Sequence, residues 1–146
     1  MASLIDIAKD PAKRSAIVED AAQLLDAEVG DKRGFSGKAV KLAFKAVKGV
    51  SPGMIPMSID ALLDDFCSQI QPFWEQSQRS DASTRDYFRS NSDSIANALL
   101  HITDQRAERS TQRVLKSAYS KLRGQAVKHI TESMPRLADL VERHAS

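Results

Sequence analysis

The chain has 146 residues, 42% of them hydrophobic and 27% charged, with a net charge of +2, 5% aromatics and a single cysteine, Cys67. This describes one globular domain able to bury about 70% of its unfolded surface; it excludes a disordered chain, a disulfide framework and a cysteine-based zinc site. The N-terminus lacks the apolar run of a signal peptide, and no window approaches the ~20 apolar residues of a membrane span. A reducing cytoplasm is therefore the expected compartment.

A core short of aromatics and rich in Leu, Ile, Val and Ala suits helix-on-helix packing. A short turn of helix over 3–8 precedes Asp10-Pro11, an N-cap acceptor followed by proline at the first helical position. Ile17, Ala21, Leu24 and Leu25 then make one apolar stripe that ends at Gly30. Ser36 reads as the cap of the next helix, which runs to about Gly49 with Val40, Ala43, Phe44 and Val47 inward. After the turn Gly49-Val50-Ser51-Pro52-Gly53, Pro56 opens a helix carrying Ile59, Leu62, Leu63, Phe66 and Ile70.

Pro72 is expected to break or kink the chain, because it has no N–H to donate and crowds the preceding turn. Phe73 and Trp74 begin another short helix, 77–84 reads as a polar loop, and Tyr87 and Phe88 sit in a brief helix beyond it. Ile95, Ala98, Leu99 and Ile102 mark the next helix. Residues 103–110 are too polar for a core helix and read as an exposed junction. A longer helix spans 110–133, weakened at Gly124, and Pro135 interrupts before a terminal helix with Leu137, Leu140 and Val141. The expected fold is all-α: a single compact bundle of six to seven helices over 1–146, with breaks near Pro72 and Pro135.

No stretch carries a chemistry-specific motif. His101, His129 and His144 are scattered without a partner ligand at helical spacing, so no metal or cofactor site is expected. Cys67 lies beside Phe66 and near Asp64 and Asp65, surroundings that raise a thiol pKa and disfavour a nucleophile. There is no nucleophile elbow or phosphate loop, and the chain is read as not an enzyme. Asp60, Asp64 and Asp65 form a small acidic patch with too few oxygens for calcium.

The charges are unevenly spread. Residues 1–50 hold nine Lys/Arg and seven Asp/Glu, residues 51–100 three and seven, and residues 101–146 nine and five. No acidic residue lies between Asp31 and Asp60, where Lys38, Lys41, Lys45 and Lys48 share one side of a helix. Such a stripe can hold a polyanion through counterion release, or lie on anionic lipid as a basic amphipathic helix. A solvated outer face is its plainer reading. Arg106, Arg109 and Arg113, at i, i+3 and i+7, and the lone Trp74 are candidate partner-binding residues, although Arg pairing within the chain and Trp packing in the core are the plainer uses.

The stretches Asp10-Pro-Ala-Lys-Arg14, Ser51-Pro-Gly-Met-Ile-Pro56 leading into Ile59–Phe66, Pro72-Phe-Trp74, and Lys121-Leu-Arg-Gly124 to Pro135-Arg-Leu137 lie along most of the chain. On these the sequence resembles an uncharacterised family of small all-helical bacterial, mainly actinobacterial, cytosolic proteins of unknown function. The resemblance implies one cytosolic helical domain and carries no activity with it. Two functional expectations stand. The first is a non-catalytic helical binding or adaptor domain whose partner is a protein, or a second copy. The alternative is binding of nucleic acid or an anionic membrane through Lys38, Lys41, Lys45 and Lys48.

Overall fold

The computed structural model describes residues 3–145. It contains nine helices and no strand among those residues: α1 (Leu4–Lys9), α2 (Pro11–Asp31), α3 (Gly34–Val50), α4 (Met54–Arg79), α5 (Thr84–Ser90), α6 (Ser92–Arg109), α7 (Arg113–Arg123), α8 (Ala126–Glu132) and α9 (Met134–Ala145). The all-α reading holds, but the helix count exceeds six to seven. The reasons are local.

Gly124 and Gln125 divide the long C-terminal helix into α7 and α8, because glycine holds helical geometry only weakly. Pro135 stands in the first turn of α9, where its missing N–H costs nothing. Pro72, by contrast, does not break α4: the helix runs through it without interruption. Pro72 and Ser68 are both exposed, so the carbonyl that proline leaves unpaired faces water. The turns on either side of it are held by buried Ile70, Trp74 and Ser77, with the Ser77 hydroxyl donating to the Trp74 carbonyl at 2.7 Å. Ser77 is thus core, and the expected loop shrinks to 80–83. Residues 103–109 are likewise helical, the last two turns of α6.

Side-chain caps fix three of the starts. Ser3 Oγ accepts from the Asp6 amide, Asp10 Oδ1 from Ala12, and Ser83 Oγ from Asp86, at 3.1, 2.9 and 3.1 Å; each satisfies a donor that the first turn leaves free. The α3 start is different. Ser36 lies inside the helix, and the chain enters through Gly34 at φ +74, a left-handed conformation that glycine adopts without a Cβ penalty. Gly37 then lets α3 close on the preceding segment: a Cβ there would stand 2.7 Å from the Lys32 carbonyl carbon.

Packing is dense at one end. Trp74, Phe88, Ile95 and Met134, from α4, α5, α6 and α9, are the largest fully buried side chains, and Leu4, Ile70, Ala138 and Val141 join them. A second cluster, Ile7, Ala8, Ile17 and Leu63, seats α1 and α2 on α4. Arg14 locks that seat from outside. Its Nε reaches Asp60 Oδ1 and its Nη1 reaches Asp64 Oδ1, both at 2.7 Å, and it also donates to the carbonyls of Asp60 and Ala8. Beyond this end the bundle changes character, and there α3 packs against α7.

Candidate functional site

α3 has two contrasting faces. Val40 and Ala43 are buried, and Phe44 turns inward beside them. On the outer face, Lys38, Lys41 and Lys45 are exposed and make no ion pair among the described residues. Lys48 differs: its Nζ holds Asp26 Oδ1 of α2 at 2.9 Å. Beside the lysines stand two large apolar side chains, Phe35 at 93% exposure and Leu42 at 68%. Seven residues apart, they share one side of the helix. The sequence reading missed this pair, although the spacing was there to be read.

The neighbour α7 carries no acidic residue either, and Arg113, Val114, Lys116 and Lys121 are all exposed on it. Two adjacent helices, both free of Asp and Glu, thus make one basic region of surface. The other expected partner residues scatter. Arg106 and Arg109 close α6 while Arg113 opens α7, so the three do not share a helix face. Arg106 donates to the Ala61 carbonyl at 2.8 Å, an internal tie. Trp74 is 2% exposed and belongs to the core, not to a surface anchor. Asp60 and Asp64 are held by Arg14.

Beneath the inner face of α3 the interior opens into a cavity of about 400 Å³. Val40 and Phe44 of α3, Ala21 and Leu25 of α2, and Leu63 and Leu140 from the far side are among its almost wholly apolar lining. Protein interiors rarely keep voids larger than a water molecule. The volume falls in the ~300–1,000 Å³ range of small-molecule sites.

Polar groups along the wall are mostly committed to one another. Lys32, 7% exposed, places its Nζ 3.4 Å from Glu28 Oε2, 3.5 Å from Glu132 Oε1 and 3.1 Å from the His129 carbonyl. Glu28 also meets Arg136 Nη1 at 3.0 Å. Tyr119 bonds to Thr103 and to Asp104, which Arg123 also grips. Burial, and then the Asp104 contact, push the Tyr119 phenol up to about 12. His144 meets Asp20 Oδ2 at 2.7 Å and ties α9 to α2; that contact, with Arg143, holds the Asp20 carboxyl below its ordinary range.

His129 is the exception. Both ring nitrogens are buried without a hydrogen-bond partner among the described residues. Nδ1 comes within 3.3 Å of Glu132 Oε1 but lacks hydrogen-bond alignment, and Nε2 has no neighbour of that kind. Burial, and then the charge of Lys32, depress its pKa, which favours the neutral ring. The Cys67 thiol, also at the wall, is pushed up to about 11 by burial and by Asp64, as its sequence neighbours implied. Among the described residues no three of the His, Cys, Asp and Glu side chains are grouped to hold a metal ion, and no helix is long and apolar enough to cross a membrane.

The structure therefore defines an all-helical bundle with a dense end, an apolar chamber, and an acid-free helix pair over that chamber. Over residues 4–145 the chain matches the family of unknown function DUF6918 and belongs to it. No curated protein and no solved structure matches it.

Proposed function

We propose that this chain is a non-catalytic binding domain that docks through the α3–α7 face onto an anionic membrane surface. One observation carries the reading: Lys38, Lys41 and Lys45 have no carboxylate partner among the described residues, and Phe35 and Leu42 stand exposed along one edge of them. Exposed lysines alone are what any helix shows to water. Lysines beside large exposed apolar side chains match the two-part demand of a lipid interface, with ammonium groups at the phosphates and apolar groups below them. Phe35 offers one ring on which a base can stack, but Leu42 and Val114 offer none, and that largely aliphatic set favours lipid over nucleic acid. A protein partner or a second copy is the competing occupant. That reading draws on complementary basic and acidic patches, and Arg14 already neutralises Asp60 and Asp64.

The single cysteine, with a thiol held protonated, suits a cytoplasmic setting and the inner leaflet as the surface. The resemblance to small bacterial proteins supports a bacterial membrane as that surface. The test is flotation with vesicles of phosphatidylglycerol or of phosphatidylcholine, for the native chain and for variants. Binding is expected on phosphatidylglycerol only. Replacing Lys38, Lys41 and Lys45 together by Ser should weaken it about a hundredfold, at about fivefold per lysine. Replacing Phe35 and Leu42 by Ser should abolish what persists at high salt. Equal flotation of the native chain and of the variant lacking these three lysines would overturn the reading. Retention on DNA but not on vesicles, falling steeply between about 50 and 200 mM salt, would move it to nucleic acid.

A further inference from the structure

We propose that the interior cavity is a binding site for an uncharged, largely apolar lipid bearing one hydroxyl or carbonyl group, seated with that group at His129. The proposal does not depend on membrane docking, since it concerns the inner surface of the bundle. Its first support is shape: about 400 Å³ walled almost entirely by aliphatic side chains and Phe44, Phe66 and Tyr119. Nothing in such a lining rewards a polar solute, while every apolar carbon brought in leaves water.

The second support fixes the head group. A charged ligand needs a free counter-charge, and the wall has none to give. Lys32 sits between Glu28 and Glu132, Glu28 also meets Arg136, and His144 meets Asp20. A fatty-acid carboxylate would have to displace buried Glu28 from Lys32, exchanging one buried pair for another, or dislodge the half-exposed Glu132 that stands 3.5 Å from the ammonium. His129 has the opposite need. Its two ring nitrogens are buried and make no hydrogen bond among the described residues, with Glu132 Oε1 3.3 Å from Nδ1, and a neutral imidazole offers one donor and one acceptor. A lipid hydroxyl or carbonyl entering an apolar chamber is costly unless it finds a partner, and so is the imidazole. Each supplies what the other lacks.

The experiment is a fluorescence titration of the full chain with N-phenylnaphthylamine, an uncharged apolar probe, followed by displacement with dodecanol and with dodecanoate. The native protein should brighten the probe, and dodecanol should displace it at a concentration about tenfold lower than dodecanoate does. Ala21→Phe, which pushes a ring into the cavity, should melt no lower than the native chain and no longer brighten the probe. If that variant fails to fold, Ala126→Leu makes the same comparison with a smaller group from a different helix. His129→Phe should keep the probe and weaken displacement by dodecanol about five- to tenfold. Absence of brightening by the native chain, or full brightening by a folded, cavity-filled variant, would overturn the site. Dodecanoate competing as well as dodecanol, or His129→Phe leaving dodecanol unaffected, would overturn the uncharged head group.

Discussion

Replacing glycine by alanine inside a helix normally stabilises it by about 0.5–1 kcal/mol, because the unfolded chain loses freedom. At Gly49, where an added Cβ meets nothing within 4 Å, that gain should appear in full; the same holds at Gly30. Gly37 should reverse the sign. Its Cβ would stand 2.7 Å from the Lys32 carbonyl carbon and 3.1 Å from the oxygen, both backbone atoms that cannot rotate away. Ordinary contact begins near 3.4 Å, so α3 or the Lys32 segment must shift by several tenths of an ångström. That segment is anchored in turn, since Lys32 Nζ holds Glu28, Glu132 and the His129 carbonyl. Overpacking of this kind costs about 1–3 kcal/mol, which outweighs the entropic gain and leaves Gly37→Ala less stable by about 1–2 kcal/mol. Urea unfolding followed by circular dichroism would read it: a lower midpoint for Gly37→Ala, a higher one for Gly49→Ala, and the same slope for both. A Gly37→Ala protein as stable as Gly49→Ala would refute the close approach.

Other perturbations address the remaining contacts. Arg14→Met removes two ion pairs and two carbonyl contacts, partly screened by solvent; a loss of about 2 kcal/mol and a fall in melting temperature of about 4–8 °C are expected by scanning calorimetry. Asp20 has a depressed folded pKa through His144 and Arg143, so its contribution is present above the ordinary carboxylate range and is lost as pH falls through the folded value. Asp20→Asn should therefore lower stability at pH 7 and flatten the acid limb below about pH 4, measured by melting across pH. Cys67, with its thiol near 11, should react with iodoacetamide at pH 8 far more slowly than glutathione does, and at a comparable rate once urea unfolds the chain. Fast labelling of the native protein would place the thiol outside the wall.

The sequence carried the helices well where period and cap agreed. Asp10-Pro11 marked the start of α2, and the stripe of Ile17, Ala21 and Leu24 marked its inner face. It misled where a local rule met tertiary support. Pro72 should stop a helix by its own chemistry, yet Ile70, Trp74 and Ser77 bury the turns around it and its unpaired carbonyl faces water. The polar residues 103–109 suggested an exposed junction, but they are helical, and Thr103 and Asp104 are polar because they serve Tyr119 and Arg123. The lysines of α3 were visible as a pattern; their lack of partners was not, because pairing depends on which helix lies alongside. The cavity was invisible altogether. Its lining has the composition of any core, and only the distance between helices distinguishes a packed interior from a hollow one. His129, one of three scattered histidines in the sequence, acquires meaning only there.

α3 takes part in both surfaces at once, with Val40 and Phe44 at the cavity and Lys38, Lys41 and Lys45 at the exterior. A rigid helix cannot move one face and hold the other still. Whatever alters the seating of α3 from within must alter how it presents its lysines, and thermodynamic linkage makes the effect reciprocal: a cavity occupant that strengthens surface attachment by some factor is itself held more tightly by that same factor on the surface. If both proposals hold, loading and attachment are coupled equilibria, and measuring either with and without the other gives their common free energy.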